Sequence, residues 1–256
     1  MKIIAIGRGG AWAPMSIGNS NFLFEEDGKF MMFDFGLTAF HTLRDEMKFD
    51  LGDISALYIS HAHADHCTLE PFLFYRYFVP NKSGKPVRPK LYVHSDFIQP
   101  LWNNTLKGGL DALHGKVAAL TDYCECFPIH KNKSFIFEGI KMTPFQTTHV
   151  NFAFSIRLSY GLLIENPKTG KSCMISGDTV FNPSGLNYLY ERADLILHDV
   201  EVSANRSHVH PHITDLSTLS PEIKSKMYLY HYSELPEDPD QYGFAGFVEK
   251  FQEFNI

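Results

Sequence analysis

Apolar residues along this chain come mostly in short runs separated by Gly, Asp, Asn and Ser. Runs such as Lys2-Ile3-Ile4-Ala5-Ile6 and Ala56-Leu57-Tyr58-Ile59 have the length and the β-branched and aromatic content of strands. On this basis strands are predicted near 2–6, 21–25, 30–34, 55–59, 90–94, 134–137, 140–147, 152–158, 161–165, 172–176, 194–198 and 227–230. Helices are predicted near 38–46, 68–78, 184–191 and 240–252. Asn81-Lys82-Ser83-Gly84-Lys85-Pro86 reads as a turn-rich loop. Strands come in a run, then helices, then a run again. That order suits an α/β protein with two sheets packed face to face and helices outside. No low-complexity region, residue-level repeat or composition break divides the chain, so residues 1–256 read as one domain.

Segment 96–122 has a different character. Asn103, Asn104, Gly108, Gly109 and Gly115 interrupt the apolar residues Phe97, Ile98, Leu101, Trp102, Leu106, Leu110, Leu113 and Val117. One reading is two short amphipathic helices joined by a Gly-Gly turn. Another is a lid or subunit contact with a mobile Gly108-Gly109 hinge. Its apolar content exceeds what a glycine-rich loop should expose, and such patches usually find a partner. A subunit partner is therefore expected.

The strand at 55–59 runs directly into Ser60-His61-Ala62-His63-Ala64-Asp65-His66. Four side chains able to bind a divalent ion fall within six residues. A single His-x-His carries little weight in a chain with 13 histidines. The whole H-x-H-x-D-H pattern at a strand end carries much more. Further candidates close other strand-like runs: His149 after 140–148, Asp178 after Ser172-Cys173-Met174-Ile175-Ser176-Gly177, and His231 after Met227-Tyr228-Leu229-Tyr230. Strand ends are where layered α/β proteins build sites. Any one of these three alone reads as an ordinary residue. Together with the first motif they make seven donors, enough for two ions that share one carboxylate.

Charge and cysteine content narrow the picture. A net charge of −6 argues against stable nonspecific nucleic-acid binding, which needs a basic surface. Cys67, Cys124, Cys126 and Cys173 form no C-x-x-C, and Cys124 and Cys126 are too close in sequence to bridge comfortably. Reduced thiols in a cytosol are expected. The apolar start at Met1–Gly7 is too short for a signal peptide, and no run is long enough to span a membrane.

In this order, H-x-H-x-D-H, His149, Ser176-Gly177-Asp178-Thr179 and His231 resemble the metallo-β-lactamase superfamily. The resemblance spans residues 61–231 and implies a four-layer αββα sandwich. It implies that His61, His63 and His149 hold one ion, that Asp65, His66 and His231 hold a second, and that Asp178 bridges them. Zinc is the expected metal, with manganese as a substitute given the carboxylates. Paired divalent ions make water acidic enough to supply hydroxide near neutral pH, and they polarise a phosphoryl oxygen. Asp65 stands where the superfamily orients that hydroxide. An aspartate at 178, where β-lactam hydrolases have cysteine, points to the phosphodiesterase and thioesterase branches.

Ala193-Asp194-Leu195-Ile196-Leu197-His198-Asp199 is similar to the His-Glu-Ala-Thr strand of the ribonuclease Z group. His210-Pro211-His212-Ile213-Thr214 resembles that group's His-Ser-Thr. The resemblance pairs Asp199 with His212 and makes His212 the acid that protonates the leaving oxygen. Asp199 replaces the group's glutamate, Glu201 is a fallback partner, and His210 and His208 compete with His212. The long basic arm that grips transfer RNA in ribonuclease Z has no counterpart here. The length, the opening Gly7-Arg8-Gly9-Gly10-Ala11-Trp12-Ala13-Pro14 and the compact middle look more like the small anti-Pycsar phosphodiesterases of phages and some bacteria. That family implies opening of 3′,5′-cyclic mononucleotides (cyclic CMP, UMP, AMP or GMP) to 5′-nucleotides, against cyclic-nucleotide antiphage signalling. The resemblance also implies a twofold homodimer. The alternatives are a ribonuclease Z-type endonuclease acting on the transfer-RNA 3′ end, a non-catalytic nucleotide-binding module and, more weakly, a thioester hydrolase.

Overall fold

The computed structural model describes residues 1–79, 87–131 and 133–256, so the loop expected at 81–86 lies outside the described residues. Sixteen strands occur among them: β1 (Lys2–Ala5), β2 (Phe22–Glu26), β3 (Lys29–Phe33), β4 (Ile54–Ile59), β5 (Lys90–His94), β6 (Ala112–Leu113), β7 (Lys116–Val117), β8 (Glu125–Ile129), β9 (Phe135–Phe137), β10 (Ile140–Phe152), β11 (Ser155–Glu165), β12 (Ser172–Ile175), β13 (Leu195–Asp199), β14 (Met227–Tyr230), β15 (Gly246–Phe247) and β16 (Glu253–Asn255). They form two seven-stranded sheets, ordered β16-β1-β2-β3-β4-β5-β8 and β15-β14-β13-β12-β11-β10-β9, plus the small hairpin β6-β7.

The two-residue period of each strand distributes its side chains between layers. Ile3 and Ala5 of β1 enter the core between the sheets, whereas Ile4 joins a second core under the outer helices of the first sheet. Cys173 and Ile175 of β12 likewise face the central core, whereas Met174 faces a third core under helix Pro183–Arg192. The result is the αββα sandwich. In each sheet the parallel strands, β3-β4-β5-β8 and β12-β13-β14-β15, stand together. Their carboxyl ends converge, which positions the candidate site.

Three expectations are corrected. Residues 240–252 do not form a helix. Pro239–Tyr242 makes one short turn, ended by Gly243 in the left-handed conformation (φ 71°), and Gly246–Phe247 then pairs with β14 as an edge strand. The strands expected at 152–158 and 161–165 are one strand, β11, running unbroken through Ser159-Tyr160-Gly161. Segment 96–122 is not a helix pair joined by a Gly-Gly turn. Residues 95–110 are continuously helical, with Gly108 and Gly109 inside the last turn, and the hairpin β6-β7 follows. Leu101, Leu106 and Leu110 are buried in the outer core of the first sheet, with Phe97, Ile98 and Trp102 packed beside them. The apolar surplus of this segment is therefore absorbed within the chain, apart from exposed Val117. None of its residues lines the large cavity described below.

Candidate metal centre

The turn after β4 is held from three sides. His66 and Cys67 donate N–H bonds to the His63 carbonyl at 3.0 and 2.8 Å. Phe35 N–H donates to the His66 carbonyl at 2.8 Å. Buried Asn21 donates its amide to the Asp65 carbonyl at 2.9 Å and accepts Gly36 N–H at 2.8 Å. His61, Asp65 and His66 are thereby fixed and buried. His149 sits in β10 at the point where the register with β11 shifts between Thr148 and Val150. Such a bulge re-aims a side chain, and His149 turns toward the turn after β4. Asp178 follows β12. His231 follows β14 in a strained backbone conformation (φ 73°).

All seven predicted donors meet at one point. Oδ2 of Asp178 lies 3.7 Å from His61 Nε2, 3.6 Å from His149 Nε2, 3.3 Å from His66 Nε2 and 3.5 Å from His231 Nε2. Asp65 Oδ2 lies 3.2 Å from His66 Nε2 and 3.3 Å from His231 Nε2, and His63 Nδ1 lies 3.0 Å from His149 Nε2. The edge of a tetrahedron built on bonds of ~2.0–2.1 Å is ~3.3–3.4 Å, so these spacings suit a shared first-row cation. Two overlapping groups result, His61-His63-His149-Asp178 and Asp65-His66-Asp178-His231. His61 Nε2, His66 Nε2 and Asp178 Oδ1 are buried with no hydrogen-bond partner. Orphaned lone pairs of this kind are costly unless something binds them, and the donor set fits divalent ions.

The electrostatics agree. Burial pushes His61 well below the ordinary imidazole range and also lowers His63 and His149, so their nitrogens are free to donate. Burial opposes ionisation of Asp178, but His231, His66 and His210 around it hold its carboxylate well below the usual range. Burial also opposes charging His66, yet Asp178, Asp65 and Asp34 raise it well above the ordinary value. A cation entering this site must therefore displace a proton from His66, so affinity falls as pH falls.

The partners of the ligands were only partly legible. Asp34 is fully buried, with φ 61°, and accepts from His66 Nδ1, Ser60 N–H and Ser60 Oγ–H, each at 2.7 Å. His149 Nδ1 donates to the Val209 carbonyl at 3.0 Å. Sequence reading missed Asp34. Its signal was the one used for Asp178, a lone carboxylate closing an apolar run (Met31-Met32-Phe33). Because such partners orient the ring and fix its tautomer, Asp34→Asn is expected to weaken metal affinity ~10–100-fold while the fold persists. Competition titration with a chelator measures this, and unchanged affinity rejects the role.

The Asp199–His212 pair does not form. His212 caps the short helix Ile213–Leu216, accepting Thr214 N–H at 3.3 Å, and its Nε2 bonds the Ser203 carbonyl at 3.2 Å. Glu201, the fallback, accepts Ser207 N–H instead. His210 takes the place: its Nδ1 donates to Asp199 Oδ2 at 3.0 Å, and its Nε2 lies 4.0 Å from Asp178 Oδ2. Its ring stacks on His231 at 4.2 Å. Asp199 also accepts Thr179 N–H at 3.0 Å and Ser176 Oγ–H at 3.1 Å, so proton donors surround it. Burial opposes a charge on His210, but Asp178 and the bond to Asp199 raise its pKa. His208 lines a small neighbouring cavity of about 170 Å³ rather than the metal cavity.

His63, Asp65, His149, Asp178, His210 and His231 line a cavity of about 920 Å³. Strand-end imidazoles and carboxylates at the mouth of an αββα sandwich define a protein of the metallo-β-lactamase fold. Solved structures agree on that fold. The metallo-beta-lactamase fold protein YhfI from Bacillus subtilis superposes with TM-score 0.76 at 15% identity, covering 99% of each chain. Human tRNase Z, short form, gives 0.69 at 19% identity over 100% of this chain and 99% of its own. The family model of Anti-Pycsar protein Apyc1 matches residues 1–254, and the chain belongs to that family. Relatives called Anti-Pycsar protein Apyc1 include one from Paenibacillus harenae, 30% identical over 243 residues (91% of this chain, 90% of the relative). Another, from Paenibacillus sp. (strain J14), is 29% identical over 241 residues with the same coverage. A third, from Bacillus phage vB_BsuM-Goe3, is 27% identical over 247 residues (93% and 91%).

Proposed function

We propose that the chain is a metal-dependent phosphodiesterase that opens 3′,5′-cyclic mononucleotides to 5′-nucleotides. The observation that carries this reading is the pairing of a complete seven-donor centre with a carboxylate–imidazole couple beside it, buried Asp199 and partly buried His210. His61, His63, His149 and Asp178 would hold one ion, and Asp65, His66, His231 and Asp178 the other, zinc by preference and manganese as a substitute. Bound there, two divalent ions would supply a nucleophile from water at neutral pH and polarise the phosphoryl oxygens. Asp65 accepts a hydrogen bond from the attacking water and orients it. Since Nδ1–H of His210 is committed to Asp199, its other proton sits on Nε2, facing the cavity. That proton passes to the 3′ oxygen as the P–O3′ bond breaks, so an alcohol leaves rather than an alkoxide. Asp199 orients and charges the ring.

The Asp199–His210 couple has no use in thioester hydrolysis, where a thiolate leaves readily. A binding module has no need of seven ligands. A net charge of −6 disfavours a transfer-RNA substrate. Among the described residues no helix is long and apolar enough to cross a membrane. The family name and the phage relative fit action on antiphage signalling in a host cytoplasm.

Turnover of a panel of cyclic mono- and dinucleotides and precursor transfer RNA, with chromatography of products, tests the activity. Cyclic mononucleotides should give 5′-nucleotides, and cleavage of the RNA alone rejects the reading. The reading includes a twofold homodimer. Phe152, Phe154 and Ile156, exposed at the tip of the β10–β11 hairpin, offer it an apolar surface. Light scattering should return twice the 29.2 kDa of one chain at micromolar concentration, and a monomer mass refutes the dimer.

A further inference from the structure

Trp12 is 97% exposed, yet it lines the metal cavity. An indole left in water contributes nothing to folding, and large aromatics at the mouth of a cavity commonly serve a ligand. The backbone that presents it is firmly held. Ala13 N–H donates to the Gly10 carbonyl at 3.0 Å, closing a turn with Trp12 at its corner. The Asn19 side-chain amide donates to the same carbonyl at 2.8 Å. Ser20 bonds the Gly9 carbonyl through both N–H and Oγ–H, at 2.9 and 3.0 Å.

This turn is also fastened to the metal centre. The Arg8 carbonyl accepts His231 N–H at 2.7 Å and Tyr232 N–H at 3.1 Å. Gly10 lies against the His231 ring so closely that an added Cβ would meet Cε1 at 2.7 Å. Trp12 therefore sits two residues from a direct contact with a predicted ligand. The loop that continues from His231 brings Leu235, 47% exposed, to the same cavity. The imidazoles and carboxylates of the metal centre stand together in two overlapping groups, and Trp12 and Leu235 are exposed large apolar side chains of the same cavity.

We infer that Trp12 is the stacking platform for the nucleobase, with Leu235 as the apolar wall beside it. The inference rests on the phosphodiesterase reading for its substrate. In a 3′,5′-cyclic nucleotide the phosphate and the base are held apart by a rigid fused ring system. With the phosphate drawn to the metal ligands, the base projects away from them. Every base has a π face, so stacking binds purines and pyrimidines alike and favours the larger ring without reading its edge. The chain would thus accept several cyclic mononucleotides, with lower KM for purines.

The test uses zinc-loaded protein, with cyclic AMP, cyclic CMP and the abasic 1-deoxyribose 3′,5′-cyclic phosphate as substrates. Trp12→Ala should raise KM for both nucleotides by roughly 5- to 150-fold, the range for losing one base–aromatic stack. Its kcat should stay within several-fold. Trp12→Phe should restore most of the affinity, and KM for the abasic compound should not move. Equal loss on the abasic compound, an unchanged KM for the nucleotides, or dissociation of an oligomer on light scattering would each overturn the assignment. The last result would make Trp12 a subunit contact. Fluorescence separates this failure from failure of the proposed activity. In a Trp102→Phe background, Trp12 is the only indole. Its emission should be quenched on titration with the hydrolysis-resistant cyclic AMP phosphorothioate even if no substrate is turned over. Binding without quenching refutes the platform.

Discussion

Asp178→Ala should abolish tight binding of at least one of two metal ions per chain and reduce phosphodiester turnover by more than any other single substitution. Asp178 is common to both donor groups, and one of its oxygens lies within 3.3–3.7 Å of four imidazole nitrogens. Losing it would remove the one donor common to both groups and the negative charge between them. The loss should exceed the ~10²–10⁴-fold expected for a missing general acid, because the nucleophile and the phosphoryl polarisation fail together. Asp178→Asn keeps the shape and serves as a control for folding, since its residual oxygen can still ligate weakly. Elemental analysis of dialysed protein should give two ions per chain for the parent and one or none for Asp178→Ala. One tightly held ion per chain in a fully active parent would refute the dinuclear centre. Acid should act as a milder version of the same change. As pH falls, protonated His66 outcompetes the cation, so metal content should drop before the chain unfolds.

The placement of most donors was legible because each stands at the end of an apolar run, and strand ends meet when strands pack in parallel; His149 is the exception, inside antiparallel β10. His61, His63, Asp65 and His66 share one turn, whose spacing is visible in any frame. In the sequence His149 also closes an apolar run, but its orientation depends on a bulge that the sequence does not mark. Asp34 was missed because a single aspartate after Phe33 has no neighbour to give it away. Its role exists only once β3 lies beside β4 and Ser60 and His66 come within reach.

His210 and His212 show the limit of motif reading more sharply. They flank Pro211, and their local composition is alike. Which ring reaches Asp199 is decided by where the helix Ile213–Leu216 begins, since the residue at its cap must turn its side chain to Thr214 N–H. The carboxyl-terminal strands were hidden for a different reason. Gly246–Phe247 and Glu253–Asn255 are too short to carry a period, and they are strands only because β14 and β1 offer unpaired edges. Segment 96–122 misled through composition alone. Its leucines fill a core beneath β4 and β5 that no local pattern reveals.

His210→Ala should retain both metals and substrate binding but lose ~10²–10⁴-fold in turnover of cyclic nucleotides. His210 joins Asp199 to the cavity that holds the metal ligands. A phosphodiester with a good leaving group, such as bis-p-nitrophenyl phosphate, needs little protonation, so the variant should be nearly normal on it. Asp199→Asn should show the same selectivity with a smaller loss, because it orients and charges the ring without donating the proton. The pH profile supplies an independent readout. A general acid must carry its proton, so its contribution is full below its pKa and disappears as pH rises through it. That loss should appear as an alkaline limb of kcat carried by His210, whose imidazolium the bond to Asp199 favours. The alkaline limb should vanish in His210→Ala. His212→Ala, by contrast, should leave turnover within several-fold and cost ~0.5–2 kcal/mol of stability through the lost helix cap. If His210→Ala slows both substrates equally and His212→Ala shows the leaving-group selectivity instead, the acid is His212 and the loop after Val209 rearranges when substrate binds.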